Sequence, residues 1–208
     1  ESWSHHMYEL LAAGNDLEAA ESVARSLGGV CYLGDPNEQR ELPFRALVRC
    51  VTDTPQSLAP AASVGLYLGF CRVVRERPIA NQSGSASPGV TAIFPLLHHP
   101  NLTHDQSDAH WRDVHAPLAL RHHPGMWDYT QLSVVKTLSG LEVDGFALVS
   151  FESAASMKER FFGDDNDREV IYQDVAKFAD PKSPRRVVAT ETIFGSRPPT
   201  ASVTWPQG

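Results

Sequence analysis

Pro100-Asn101-Leu102-Thr103-His104-Asp105-Gln106-Ser107-Asp108-Ala109-His110-Trp111-Arg112-Asp113-Val114-His115-Ala116-Pro117-Leu118-Ala119-Leu120 is the stretch on which the fold of this 208-residue chain turns. Thr103, with Gln106 three residues on, is a capping-box pattern that opens a helix. Trp111, Val114, His115 and Leu118 recur at i, i+3, i+4 and i+7, so one helical face carries them. Pro117 removes a donor and disfavours helix at Ala116, which places Leu118 at or past a kink. Pro124 then stops the segment. Seven of the nine histidines lie between His98 and His123, and histidine is the side chain that gives and takes protons near neutral pH.

Strands flank this helix. Residues 90–97 are β-rich and apolar, although Pro95 interrupts them where a central strand would lose a ladder bond. Residues 127–135 alternate, with Trp127, Tyr129, Gln131 and Ser133 on one face and Asp128, Thr130, Leu132 and Val134 on the other. Leu138-Ser139-Gly140 reads as a turn, and 145–151 as a central strand. Ser153 caps a helix running to Gly163. A helix over 168–179 puts Ile171, Val175 and Phe178 on one side, and 186–194 is the last strand. The order predicts an α+β, ferredoxin-like antiparallel sheet with helices on one face. Its other face must be covered, and a second sheet packed on it is the expected solution.

Ala80-Asn81-Gln82-Ser83-Gly84-Ser85-Ala86-Ser87-Pro88-Gly89 has linker composition. The chain therefore divides into a degenerate ferredoxin-like half over 1–80, a linker over 81–89, a domain over 90–195 and an extended arm over 196–208, with Trp205 expected to dock. In the first half a helix is read at 16–27 and strands at 30–33, 44–52 and 64–74; no first strand is evident. Arg72-Val73-Val74 and Arg186-Val187-Val188 echo one another in the last strand of each half. Either the chain is an internal duplication, an intrachain pseudo-dimer that could also form a homodimer, or the first half is an unrelated α+β extension.

The net charge of -7 argues against nucleic acid and anionic membranes as partners. No apolar run suits a membrane span and no leader is read at the N-terminus, so a cytoplasmic protein is expected. Cys31, Cys50 and Cys71 are odd in number and lack metal-type spacing, and they read as small core residues in a reducing compartment. Asn81-Gln82-Ser83 and Asn101-Leu102-Thr103 match the glycosylation sequon without a secretory context. His104, His110, His115 and His122 are spaced 6, 5 and 7 apart, unlike the i, i+4 pairs of helical metal sites, so no metal is expected. No phosphate-binding loop, nucleophile elbow or Cys-His pair is present.

The core Trp111-Arg112-Asp113-Val114-His115-Ala116-Pro117-Leu118 is joined in order by Tyr129-Thr130-Gln131, Asp144-Gly145-Phe146 and Asp174-Val175-Ala176-Lys177-Phe178-Ala179-Asp180. Together they resemble the EthD-like family of the dimeric α+β barrel superfamily, over 90–195 and none of 1–80. The resemblance implies two ferredoxin-like units packed sheet to sheet as a barrel. It implies a link to dehydration or cyclisation of aromatic polyketides; the wider superfamily adds cofactor-free monooxygenases, isomerases and haem-handling enzymes, and fold alone does not choose.

His115 is the candidate base. An imidazole between a helix and an apolar sheet is partly desolvated, which favours the neutral ring that accepts protons. The alternative is a cap that ties off the helix end at Pro117. Tyr129 is the candidate donor to a substrate carbonyl or oxyanion; core packing is its alternative. Trp111, Leu118, Trp127, Gln131, Phe94 and Phe146 are the candidate substrate-binding residues. The expected function is a cofactor-independent lyase or isomerase acting on a hydrophobic, aromatic or polyketide-like carbonyl compound. The alternatives are a non-catalytic binding protein and, more remotely, a haem-handling or cofactor-free monooxygenase member.

Overall fold

The structure, a computed structural model, describes residues 8–78, 82–195 and 201–202. The expected docking of Trp205 lies outside the described residues. The first half contains β1 (Tyr8–Gly14), α1 (Leu17–Leu27), β2 (Val30–Gly34), β3 (Ala46–Cys50), a 3₁₀ segment (Pro55–Ala61) and β4 (Gly65–Arg75). The second contains β5 (Val90–Leu96), α2 (His104–His110), a π-helical turn (Trp111–His115), α3 (Ala116–His122), β6 (Met126–Gly140), β7 (Gly145–Phe151), α4 (Ala154–Arg160), α5 (Asp165–Phe178) and β8 (Val187–Ile193). β9 (Ala201–Ser202) lies parallel to β4 at Arg72 and Val73.

The strand order is β1-β3-β2-β8-β5-β7-β6-β4, and β4 pairs back to β1. Eight antiparallel strands thus close into a barrel. This departs from the expected pair of face-to-face sheets. The halves join edge to edge, β2 to β8 and β4 to β6. Closure removes exposed strand edges, and an eight-stranded ring is just wide enough for side chains to fill. Leu11, Tyr32, Tyr67, Ile93, Leu132, Phe146 and Leu148 belong to this filling. Buried charges join it: Arg49 to Glu9 at 2.7 Å, and Arg77 to Asp128 at 2.8 Å.

β1 is the first strand that sequence reading missed. Tyr8-Glu9-Leu10-Leu11-Ala12-Ala13-Gly14 is buried along six of its seven residues and so shows no alternation. The Arg-Val-Val echo is not structurally equivalent, because Arg72 lies near the end of β4 and Arg186 precedes β8. The two halves do share a strand order: β4-β1-β3-β2 in one and β8-β5-β7-β6 in the other. Leu138, Ser139 and Gly140 are strand rather than turn. Pro95 lies within β5, but β8 pairs only with Thr91–Ile93, so the proline sits where that neighbour no longer flanks the strand. Among the described residues no helix is long and apolar enough to cross a membrane.

Candidate functional site

Thr103 and Gln106 form the capping box that starts α2. The helix does not break at Pro117. It widens: the Ala116 N–H donates to the Trp111 carbonyl, a five-residue step, and Pro117 then sits in the first turn of α3. The wider turn shifts the facing residues. Trp111, His115, Ala119 and His123 face inward at four-residue intervals, whereas Val114 is 44% exposed.

Gly145 is required beneath this face. A Cβ there would fall 2.7 Å from the Trp111 indole, so only glycine lets the ring lie on the start of β7.

Five of the seven histidines of this half, His98, His104, His110, His115 and His122, are paired with aspartates. His115 Nδ1 lies 3.0 Å from one oxygen of Asp174, and His110 Nε2 lies 2.9 Å from the other. Asp174, on α5, is buried. Burial pushes its carboxyl up, but the His115 and His110 hydrogen bonds outweigh this and hold it below the usual carboxylate range. A carboxylate accepts only, so Nδ1–H of His115 is the donor and the lone pair of the neutral ring resides on Nε2. Asp144 receives His98 Nδ1 at 2.9 Å and His104 Nδ1 at 2.8 Å. Burial raises Asp144, but the two histidines dominate and pull it down to about 2, while the Asp144 bond raises His104. His122 bonds Asp167 at 2.5 Å. Among the described residues no group of three or more His, Cys, Asp or Glu is arranged to hold a metal ion.

Tyr129 is fully buried on β6. Its oxygen accepts from Trp111 Nε1 at 2.9 Å and from Gln131 Nε2 at 3.1 Å. Burial pushes the phenol up to about 12, against the two donors, so it stays protonated at neutral pH. Both N–H groups point at the oxygen, and among the described residues the Tyr129 hydroxyl hydrogen has no acceptor assigned to it. Gln131 in turn accepts from Arg72 Nε at 2.9 Å. Arg72 clamps Asp108 of α2 through two 2.7 Å bonds and lies over the Trp111 ring. One arginine of the first half therefore fixes the amide, the indole and, through them, the phenol.

These groups border a cavity of about 710 Å³ between the outer face of β5, β6 and β7 and the helices α3, α4 and α5. Of the predicted residues, His115, Tyr129, Trp111 and Phe94 line it. Gln131 stands behind Tyr129. Phe146 points the other way, into the barrel core, because alternate residues of β7 face opposite sides. Trp127 is the extra residue of a bulge, since Met126 pairs with Phe151 and Asp128 with Ser150. Leu118 is turned away by the π-turn, and neither it nor Trp127 lines the cavity. Sequence reading missed Asp174, Arg72, His123 and the aromatic wall of Phe161, Phe162 and Phe178. Asp174 left a trace: an acid on the otherwise apolar stripe of Ile171, Val175 and Phe178.

The sequence of residues 99–182 matches the EthD domain family. No curated protein matches the chain. An anthrone oxidase-like protein of known structure is similar over 97% of this chain and 98% of its own, with a TM-score of 0.56 and 12% identity. A monooxygenase-like protein from Listeria innocua (TM-score 0.45, 11% identity, 88% of this chain and 93% of its own) and a chlorite dismutase from Candidatus Nitrospira defluvii (0.46, 13%, 92% and 93%) are weaker likenesses that add nothing to the fold comparison. Similarity at such identity shows a shared fold and no more. The matched residues 99–182 build the helical cover of the cavity and the sheet strands β6 and β7 beneath it, and this part of the chain is similar to an EthD domain.

Proposed function

We propose that the chain is an enzyme that removes a proton from a hydrophobic aromatic or polyketide-like carbonyl compound held in the 710 Å³ cavity. The carrying observation is the His115–Asp174 pair bordering an apolar cavity that a hydrogen-bonded phenol also lines. In this reading Nε2 of His115 takes a proton from the carbon next to a carbonyl. The C–H electron pair moves into the carbon framework and the negative charge gathers on oxygen, where the Tyr129 hydroxyl donates to it. Asp174 compensates the imidazolium that forms and holds Nδ1 as a donor throughout. The proton held on His115 Nε2 is then returned: to a departing β-hydroxyl, which leaves as water (dehydration), to the oxygen of a second carbonyl attacked by the enolate carbon (cyclisation), or to a different carbon of the conjugated enolate (isomerisation). All three share this first step and need no cofactor.

The division into halves at the 81–89 linker belongs to the same proposal: the first half acts as the built-in partner, its contribution being Arg72. A purely binding protein is the second reading. The buried carboxylate on His115 favours catalysis, because a binding pocket gains nothing from a charge that compensates an imidazolium.

Deuterium exchange of the α-protons of 2-tetralone, an aromatic ketone of suitable size, tests the reading. The wild-type chain should accelerate exchange in D₂O, saturably in ketone. Saturable binding without exchange would leave the binding reading standing.

A further inference from the structure

His123 has no part in the reaction above. It ends α3 on the cavity face, eight residues after His115, and is 5% exposed. Its Nδ1 lies 2.6 Å from the Phe161 carbonyl. A carbonyl only accepts, so Nδ1 carries the hydrogen and the neutral ring keeps its lone pair on Nε2. Among the described residues no donor is placed on Nε2. The ring is locked: it meets Phe161 edge-on at 4.7 Å and Phe162 at 5.2 Å. The chain behind it is tied down as Gly125 N–H donates to the Arg160 carbonyl at 3.0 Å and Arg160 to the Pro124 carbonyl at 3.2 Å. Burial, helped by the nearby His115 and His122 and opposed by the Phe161 bond, brings His123 down to about 4, so it is neutral at physiological pH.

The rest of the lining makes this nitrogen informative. Its other polar side chains are Trp111, Tyr129, Lys158, Arg168, Tyr172, Arg186 and His115; the Trp111 N–H is spent on Tyr129, and Tyr172 is 58% exposed at the rim. The cations donate only, and the Tyr129 oxygen is already occupied by two donors, so its hydroxyl can meet a ligand only as a donor. Apart from the solvent-exposed Tyr172 hydroxyl, the side-chain acceptors left in the lining are Nε2 of His115 and Nε2 of His123. A buried acceptor left unpaired by a bound ligand carries a desolvation penalty, whereas a ligand hydroxyl removes it.

We propose that His123 is a positioning residue that selects aromatic ligands bearing a hydroxyl hydrogen at the Phe161 end of the cavity, and so orients the carbonyl compound of the proposed reaction. It rests on that reading only for the carbonyl; the selectivity is a property of the cavity.

Calorimetric titration of the intact chain with 2-naphthol and 2-methoxynaphthalene tests it, since the ether keeps the ring and oxygen and lacks the hydrogen. The wild-type chain should prefer the naphthol by roughly three- to tenfold, the worth of one hydrogen bond. His123→Phe retains the ring contacts and should bring the ratio close to one, mainly by weakening the naphthol. His115→Ala should keep the preference. An unchanged ratio in His123→Phe, a preference lost only in His115→Ala, or equal affinities in the wild-type chain would overturn the proposal. Should His123→Phe fail to fold, ¹⁵N-histidine spectra of the intact chain decide: the His123 Nε2 resonance should move with the naphthol and not with the ether, and no movement overturns the proposal. Loss of the preference in His123→Phe alongside absent ketone exchange would remove the catalytic reading and leave this one.

Discussion

The outer faces of the two halves carry the same strand order and opposite packing. Over the first half, α1 presses directly on the sheet: Ala20, Val23 and Ala24 meet Ala12, Cys31, Ala46, Val48 and Cys50, and the space is filled. Small side chains let helix and sheet approach closely, and the second helix of the unit is reduced to the 3₁₀ segment Pro55–Ala61. Over the second half two helical layers are held off the sheet by Trp111, Phe161 and Phe178, and a cavity of about 710 Å³ lies between. One topology thus yields a packed support and a hollow site. Side-chain volume and the placement of His–Asp pairs make the difference, and topology does not.

The largest effect expected from this contrast is on turnover. His115→Ala should cost roughly 10²–10⁴-fold, the usual span for acid–base assistance, with a far smaller effect on stability. Asp174→Asn should cost up to about 10⁴-fold, as when the carboxylate behind a base histidine is replaced by its amide. Tyr129→Phe removes one polarising donor and keeps the ring, so it should cost less than His115→Ala. Steady-state rates on a substrate identified through ketone exchange would rank the three; equal rates for all would dissolve the distinction between the halves.

A matched pair of substitutions tests the packing itself. Ala24→Leu on α1 enters filled space and should destabilise by about 1–3 kcal/mol. Ala119→Leu on α3 points into the cavity and should leave the melting temperature nearly unchanged while weakening ligand binding. Thermal unfolding and titration of both proteins check this, and equal destabilisation would mean the cavity is filled in solution.

How much of this was legible in the sequence follows the same divide. The capping box and the helix that becomes α5 stood out by motif and helical period, and the Gly145–Phe151 strand by its nearly unbroken run of apolar residues. β1, also covered on both faces, did not, because Glu9 interrupts it and Ala12, Ala13 and Gly14 are small, so it shows neither alternation nor a β-rich apolar run. His115 and Tyr129 could be singled out by residue type and position. Their partners could not: Asp174 is 59 residues from His115, and Arg72 is 59 from Gln131, and local periodicity carries no information across such separations. The π-turn was also hidden, since Pro117 predicts a break and the backbone answers by widening, which moved Leu118 off the cavity and brought Ala119 and His123 onto it.

The smallest expected effect is on pH dependence. Asp144, depressed to about 2, contributes stability that is present above its ordinary value and lost as pH falls from about 4 towards 2. His104, raised by Asp144, contributes stability that is present below its ordinary 6.5 and lost as pH rises through its elevated value. Protection factors of α2 amides should therefore decline at both limits. Those of α1 should not follow at the upper limit, since residues 8–78 contain no histidine. Parallel behaviour of the two helices would show that the His–Asp pairs do not set local stability.

The central claim is that Nε2 of His115 takes the proton. Chemical rescue measures it most directly: the rate of 2-tetralone deuterium exchange by His115→Ala, with and without added imidazole. The account predicts exchange near the uncatalysed rate in the variant and saturable restoration by imidazole occupying the vacated space. Near wild-type exchange in His115→Ala, together with a lowered melting temperature, would contradict it and leave His115 as the structural end of a helix.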